Sequence, residues 1–263
     1  PSPTSPEENA PAASEKSTPE PVNMNFNRMT LSKAPELRLL NRRLHAITGG
    51  VVVDLQSENE PPAKMEATQV TFVYQEKGGM LPESVELSGG VRLSGSLGTI
   101  RAQTAKLNLE QKRFVFSGSV NGSSPPDVQE FRADRLEYES GRLTLEGNVH
   151  VATADGTVDA TKAVRDADNK QMTFTGDVAM SSAEGTIRAN QAQLDEAKRT
   201  MTFSGSVRGD LAEIRGFSAA RIVYALDTGD AEITDLRVQR VPMKSKGESG
   251  SEDNLMSFSE MAI

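Results

Sequence analysis

The chain has 263 residues, a formal net charge of −8 and no cysteine. The absence of cysteine excludes disulfides and thiol chemistry. Because lysine and arginine are mixed among a larger number of acids, the composition argues against a nucleic-acid backbone as the main ligand. No apolar run approaches the roughly 18 residues that a membrane-spanning helix needs.

The two ends of the chain differ in composition from the middle. Residues 1–22 are dominated by Pro, Ser, Glu, Ala and Thr, which bury too little apolar surface to fold. We expect residues 1–22 to be a disordered linker, residues 23–243 to form one β-domain, and residues 244–263 to be a polar tail with a possible final strand. Since the chain starts at Pro1 and not at a methionine, one interpretation is that a signal peptide or membrane anchor preceded it.

Two short phrases repeat along the middle of the chain. In the first, an apolar residue is followed two positions later by alanine, and three positions after that by a second apolar residue; its six alanines are Ala67, Ala102, Ala133, Ala160, Ala189 and Ala219. In the second, apolar residues flank a glycine, and by subtraction Gly118, Gly147, Gly176 and Gly205 are 29 residues apart. A fixed period this short predicts one supersecondary unit stacked on copies of itself.

Each half of the repeat alternates with period two. From Leu143 to Val151 every odd position is apolar or Gly and every even position is polar, as expected for a strand with one buried face. The three-residue step in the alanine phrase, as from Ala189 to Ala192, would flip that face unless the chain has a bulge or bend there. Short polar turns separate the strands. The pattern predicts an all-β, up-and-down antiparallel sheet folded into a trough.

Residues that could perform chemistry are sparse. His45 and His150 are the only two histidines, so a catalytic triad or a histidine metal site is poorly supported, and we expect no metal or other cofactor. Asp134, Glu137 and Asp195 flank strands on the polar face, which leaves a carbohydrate-active enzyme as a weak alternative. Because no acid pair recurs in successive repeats, we expect the protein not to be an enzyme.

The apolar face is the main candidate for a site. A trough that stays open at its seam would present a continuous apolar groove, and large Phe and Met beside small Ala suit an adaptable, linear apolar ligand. The alternative is that these side chains only fill a core. The candidate groove residues are Phe114, Phe116, Phe131, Tyr138, Leu143, Leu145, Val149, Met172, Phe174, Val178, Met180, Ile187, Leu194, Met201, Phe203, Val207, Ile222 and Tyr224.

These repeats resemble those of the OstA-like lipopolysaccharide-transport family, which includes the periplasmic β-jellyroll proteins LptA and LptC. The resemblance is carried by Phe174-Gly176-Val178 followed by Ile187-Ala189-Ala192-Leu194, and covers roughly residues 47–240. It implies a twisted β-jellyroll with lipid acyl chains inside and no enzymatic step. It also implies a periplasmic location, either soluble or tethered to the inner membrane by a segment missing from this chain.

The resemblance implies partners as well. Jellyroll domains of this family join edge strand to edge strand in a bridge from the inner to the outer membrane, and an ABC transporter in the inner membrane supplies the energy. The sequence therefore favours a non-enzymatic protein that carries lipopolysaccharide, or a related glycolipid, along its groove. The alternative is a β-solenoid assembly module that polymerises edge to edge without a lipid ligand; either role needs the two open edges of a repeat stack.

Overall fold

The computed structural model describes residues 28–40, 43–56, 62–74, 81–95, 98–108, 110–126, 128–166, 168–212 and 214–240. Sixteen β-strands occupy this part of the chain. They are β1 (Arg28–Lys33), β2 (Glu36–Leu40), β3 (Arg43–Gln56), β4 (Ala63–Val73), β5 (Ser84–Gly95), β6 (Gly98–Asn108), β7 (Arg113–Ser124), β8 (Val128–Glu139), β9 (Arg142–Ala152), β10 (Thr157–Asp166), β11 (Gln171–Ser182), β12 (Gly185–Asp195), β13 (Thr200–Leu211), β14 (Ile214–Ala225), β15 (Ala231–Thr234) and β16 (Arg237–Arg240).

All the strands belong to one antiparallel sheet in which β3 to β14 follow each other in chain order. The all-β, antiparallel class predicted from the repeats is therefore confirmed. Each end of the sheet is completed by two short strands that share one long neighbour. At the start, β1 and β2 both pair with β3, and at the finish β15 and β16 both pair with β14.

Every long strand bends near its middle. In β11 the bend is made by Gly176 and Asp177, two consecutive residues with positive φ of 78° and 49°. Thr175 pairs with Gln191 and Val178 with Ala189, so two residues of β11 lie opposite one residue of β12. This is a β-bulge, which bends a strand and keeps the inward face unchanged on both sides.

The same bulge recurs in the other odd-numbered strands from β3 to β13, each time at a pair of residues with positive φ. The bend lies beside the alanine phrase, where the sequence predicts it. The extra residue, however, belongs to the odd-numbered strand, which carries the glycine phrase. The even-numbered strand, which carries the alanine phrase, only has two consecutive outward residues there, such as Asn190 and Gln191. The pair Gly89-Gly90 is one of these bends and lies inside β5.

The line of bends divides the sheet into two walls. The first wall contains the early halves of the odd strands and the late halves of the even strands, such as residues 171–175 and 191–195; the second contains the remaining halves, such as residues 178–182 and 185–189. Inner-face residues of both walls reach zero exposure, among them Ile47 and Phe203 on the first wall and Leu55 on the second. A single layer of sheet leaves one face open, so this burial means that the walls pack against each other.

Only part of the predicted domain organisation falls within the described residues. The sheet runs from Arg28 to Arg240, inside the predicted domain of residues 23–243. The predicted linker at residues 1–22 and the predicted tail at residues 244–263 lie outside the described residues. Both remain expectations from composition.

The bend in β5 provides a test of the backbone requirement. A Cβ added to Gly89, whose φ is +79°, would lie 2.6 Å from the Thr68 Cβ, whereas one added to Gly90, whose φ is +86°, would meet nothing within 4 Å. We expect Gly90→Ala to lower the free energy of unfolding by about 1–2 kcal/mol from the left-handed backbone alone. Gly89→Ala is expected to cost about 3 kcal/mol because overpacking is added.

Urea unfolding of the two variants gives the comparison directly. Gly90→Asn is the matched control, since asparagine accepts the left-handed region and Asn148 occupies the equivalent position in β9 with φ 48°. Equal losses for Gly89→Ala and Gly90→Ala would mean that the close packing of Thr68 over the bend contributes nothing.

Candidate functional site

All eighteen candidate groove residues lie on the inner face of the bent sheet. Sixteen are buried, and Leu143 and Leu194 are half-buried near the ends of their strands. Phe114 and Tyr138 pack with their ring centroids 6.2 Å apart and tilted by 50°. The sequence therefore identified the face correctly, and contact of these side chains with a ligand stays a prediction.

Large and small side chains alternate in one row of the first wall, between β10 and β13. Phe174 lies opposite Ala163 on one side and Ala192 on the other, and Phe203 is the next partner of Ala192. On the second wall the equivalent partners are a valine and an alanine, such as Val178 and Ala189. The burial of these side chains shows that, in this structure, the interior is filled by the protein's own residues.

One charged residue interrupts the inner face. Arg165 stands where other even strands carry Leu107, Tyr138, Leu194 and Tyr224, at the end of the first wall. Its Nε and Nη2 donate to the two carboxylate oxygens of Glu196 at 2.7 and 2.8 Å, with about a fifth to a quarter of both side chains exposed. The pair was not predicted from the sequence, although the repeat shows Arg165 as the one charged residue in an otherwise apolar row.

The turns of the two walls form two rims, and these rims touch. Arg199 lies in the turn between β12 and β13 on the first rim, whereas Asp155 lies in the turn between β9 and β10 on the second rim. Arg199 Nη2 donates to Asp155 Oδ2 at 2.9 Å, and Arg199 Nε donates to Asp227 on its own rim. We call Arg199 and Asp155 the rim clasp, because the pair joins the walls along their free edge.

The rim clasp is supported by charge and by a second contact. Hydrogen bonding to Asp227 raises the pKa of Arg199, with Asp155 adding to the effect, so the guanidinium stays charged. Further along the rims, the Cβ position of Gly229 lies 3.4 Å from Glu184 Cγ. These two residues also come from turns of opposite rims. The mouth between the walls is thus closed in this region.

The three acids considered for carbohydrate chemistry lie in structural contacts on the outside. Glu137 accepts hydrogen bonds from Arg113 Nε at 2.7 Å and Arg135 Nη2 at 2.5 Å. Asp195 accepts from the backbone and side chain of Lys198, and Asp134 accepts from Asn148. Each acid stabilises its own turn or strand pair, and the three are not gathered into one site.

Among the described residues, no group of three or more His, Asp or Glu side chains is placed to hold a metal ion. The same residues include no helix that is long and apolar enough to cross a membrane. His150 lies on the outer face as expected and contacts Asp159 through Nδ1 at 2.6 Å.

Comparisons with known proteins give a likeness of structure but none of sequence family. No protein-family model and no curated protein matches the sequence. Among solved structures the chain is similar to LptH from Pseudomonas aeruginosa, described as the LptA-homologous periplasmic component of a lipopolysaccharide transport device. The likeness covers 41% of this chain and 81% of that one, at 10% identity and a TM-score of 0.37. At these values it does not extend to ligands or partners.

The rim clasp leads to a prediction about access to the interior. Arg199→Gln is expected to lower the free energy of unfolding by less than about 1 kcal/mol, because the pair is partly exposed. It should nevertheless increase binding of an apolar fluorescent dye and speed hydrogen exchange in β9, β10, β12 and β13. Arg132→Gln is the control, since it removes an exposed pair with Glu130 within a single strand. Identical dye binding by the two variants would contradict a closing role for Arg199.

The contacts of Glu137 predict a pH dependence. Hydrogen bonding from Arg113, opposed by partial burial and aided by Arg135, holds the pKa of Glu137 below its ordinary 4.5. A carboxyl with a depressed folded-state pKa stabilises the fold above its unfolded pKa and loses that contribution as the pH falls through the folded value. Glu137→Gln should therefore cost about 1 kcal/mol at pH 7 and progressively less below about pH 4.5.

Chemical denaturation between pH 3 and pH 8 measures this difference. Glu139→Gln, an exposed acid on the same strand, provides the baseline. A gap between the Glu137 variant and the parent that is constant over the whole range would show that the ion pairs contribute nothing to stability.

Proposed function

We propose that this protein is a non-enzymatic carrier that holds the acyl chains of a glycolipid, lipopolysaccharide in the first instance, between its two walls. One observation carries the proposal: a single inner face, apolar apart from Arg165, continues across the sheet from β3 to β14, with large side chains such as Met172, Leu194 and Met201 in cross-strand register. An inner face of this length suits a linear apolar ligand. The repeated phrase and its likeness to the OstA-like family supply the choice of lipopolysaccharide.

Ligand entry requires the walls to separate. Phe174 and Phe203 are only 2% and 0% exposed, so an acyl chain has to replace their contacts with the opposite wall. Leu143 and Leu194 lie closer to the first rim and are half-buried, which makes them the first side chains that an entering chain would meet. In this proposal the rims open and the bends act as the hinge line.

The two ends of the sheet are where partner domains would bind in this proposal. β2 and β15 are short edge strands on the first wall, and β1 and β16 are their counterparts on the second. Unpaired strand edges accept a further strand by β-augmentation. We propose that other jellyroll domains join here to form a periplasmic bridge, with an ABC transporter in the inner membrane as the source of energy.

Photo-crosslinking tests where a lipid lies. A photoreactive amino acid at Leu194 should crosslink to added lipopolysaccharide, and one at Gln193 should not, because Gln193 is exposed on the outer face of the same strand. Leu143 on the inner face and Arg142 on the outer surface form a second pair. Native mass spectrometry before and after lipid addition shows whether lipid is retained at all.

In these experiments the photoreactive amino acid replaces half-buried or exposed residues, because a charged residue in place of Phe203 would unfold the core. Crosslinks from Leu194 and Leu143, without crosslinks from Gln193 and Arg142, would support lipid binding in the groove. A protein that stays free of lipid, with no crosslink from either inner position, would contradict it.

A second candidate is a structural module that assembles edge to edge without a ligand. The filled interior favours it, since Ile47, Leu107 and Phe203 have no exposed surface for a ligand to contact. Leu37 and Leu39 on the edge strand β2 are 62% and 67% exposed, as expected where another chain covers them. Fibres that form with increasing protein concentration, with no dependence on lipid, would select this candidate over the first.

A further inference from the structure

A line of arginines crosses the outer face of the second wall near its C-terminal end. Arg188 on β12 is the direct cross-strand partner of Arg208 on β13, which pairs in turn with Ser218 on β14. Ser218 is the partner of Arg237 on β16. All four residues are exposed, and neighbouring strands lie about 4.8 Å apart, so three guanidinium groups lie along roughly 15 Å of surface.

This arrangement is unfavourable for the sheet alone. Like charges directly opposite each other on neighbouring strands are destabilising. Within the described part of the chain, Arg188, Arg208 and Arg237 make no ion pair, whereas Arg132 and Arg199 do. In a protein with a net charge of −8, a line of three arginines that make no ion pair creates a local positive field that attracts an anion.

A concavity lies beside the arginines. β15 pairs with residues 221–224 of β14 and β16 with residues 215–218, so the chain crosses from one wall to the other past Ala219 and Ala220. The space left there measures about 840 Å³. Its lining includes Ser206, Arg208, Ser218, Asp235, Leu236 and Arg237.

The lining combines two kinds of polar group. Arg208 and Arg237 present guanidinium groups, whose planar donors match phosphate and carboxylate oxygens. Asp235 is an acceptor for hydroxyl groups, and Ser206 and Ser218 both donate and accept. We propose that this site binds a saccharide that carries phosphate or carboxylate groups, with the arginines on the anionic groups and Asp235 on a hydroxyl.

Other anionic partners fit the surface less well. Single-stranded nucleic acid is held by aromatic side chains on which its bases stack, and the arginine line and the concavity contain no aromatic residue. A bilayer surface calls for a broad basic and apolar patch, whereas acids Asp177 and Asp210 lie on this face and Leu236 is the one large exposed apolar residue in the concavity. A hydroxyl-rich anion of limited size matches the groups present.

The saccharide has two possible sources: the polar head of a glycolipid, or a free or polymeric anionic sugar. The polar groups of the site lie on the outer face, whereas Val207 and Ala219 of its lining lie on the inner face. A soluble saccharide bound by the polar groups does not need lipid to be held in the interior. Its test is therefore independent of the lipid-carrier proposal, which is judged by crosslinking from Leu194.

The experiment compares two double variants of the whole protein. Arg208→Gln/Arg237→Gln removes both arginines of the concavity. Arg92→Gln/Arg101→Gln is the matched control, because Arg92 and Arg101 are also exposed and directly opposed on neighbouring strands of the same face, but far from the concavity. The variants change the net charge equally, and both should melt at the same temperature as the parent or slightly higher, since each removes a like-charge neighbour.

The probe is fluorescein-labelled trigalacturonate, followed by anisotropy at low and high salt. We expect the concavity variant to bind at least tenfold more weakly than the parent, and the control to bind within twofold of it. Glucose 1,6-bisphosphate should compete, and maltotriose should not. An equal loss in both double variants, or no binding by the parent protein, would overturn the proposal.

Two further arms separate the remaining outcomes. Inorganic phosphate that competes as strongly as glucose 1,6-bisphosphate would overturn the saccharide assignment in favour of a simple anion site, and tighter binding of oligo-deoxyadenosine would overturn it in favour of nucleic acid. Lipopolysaccharide capture measured on the concavity variant distinguishes the sources. A matching loss identifies the glycolipid head as the source, and unchanged capture identifies a separate saccharide.

Discussion

The pair of left-handed residues at the middle of each odd strand is the constraint on which the rest of the structure depends. Two consecutive residues with positive φ, as at Gly147 and Asn148, insert one extra residue opposite a single residue of the neighbouring strand. The strand turns a corner there while its inward side chains stay inward. Because the bends of neighbouring strands align, a flat sheet that would expose one apolar face becomes two walls that bury it.

The positions flanking the bend explain the composition of the repeat. The first left-handed residue is glycine in all of these strands. In β5 to β13 the reason is that an outward side chain of the preceding strand lies over it: a Cβ on Gly176 would be 2.6 Å from Thr161 Oγ1. The second residue has more space and is Gly, Ser, Asn or Asp, as at Gly90 or Asp177. The alanine phrase and the glycine phrase are thus two sides of one corner, which is why they recur with the same period.

Much of this arrangement follows from the sequence, because strand alternation, the three-residue step and the repeat are local patterns. The inner face, from Phe114 to Tyr224, was predicted for the same reason. The contacts between rims were not predictable, since Arg199 and Asp155 are 44 residues apart and meet only after the walls close. The line from Arg188 to Arg237 also emerges only from the register, in which each bulge shifts the pairing by one residue.

The relative strengths of the contacts between the walls decide how the interior could open. An exposed ion pair such as Arg199 with Asp155 contributes at most about 1 kcal/mol, whereas exposing one buried Phe side chain costs about 1.5–3 kcal/mol. Apolar packing therefore contributes more than the rim clasp to holding the walls together, and water alone does not separate them. An acyl chain differs from water because it replaces one apolar contact by another, and each buried methylene returns about 0.8 kcal/mol. Such a ligand offsets the cost of opening as it enters, so a filled interior in the free protein is compatible with a carrier whose walls part only around apolar cargo.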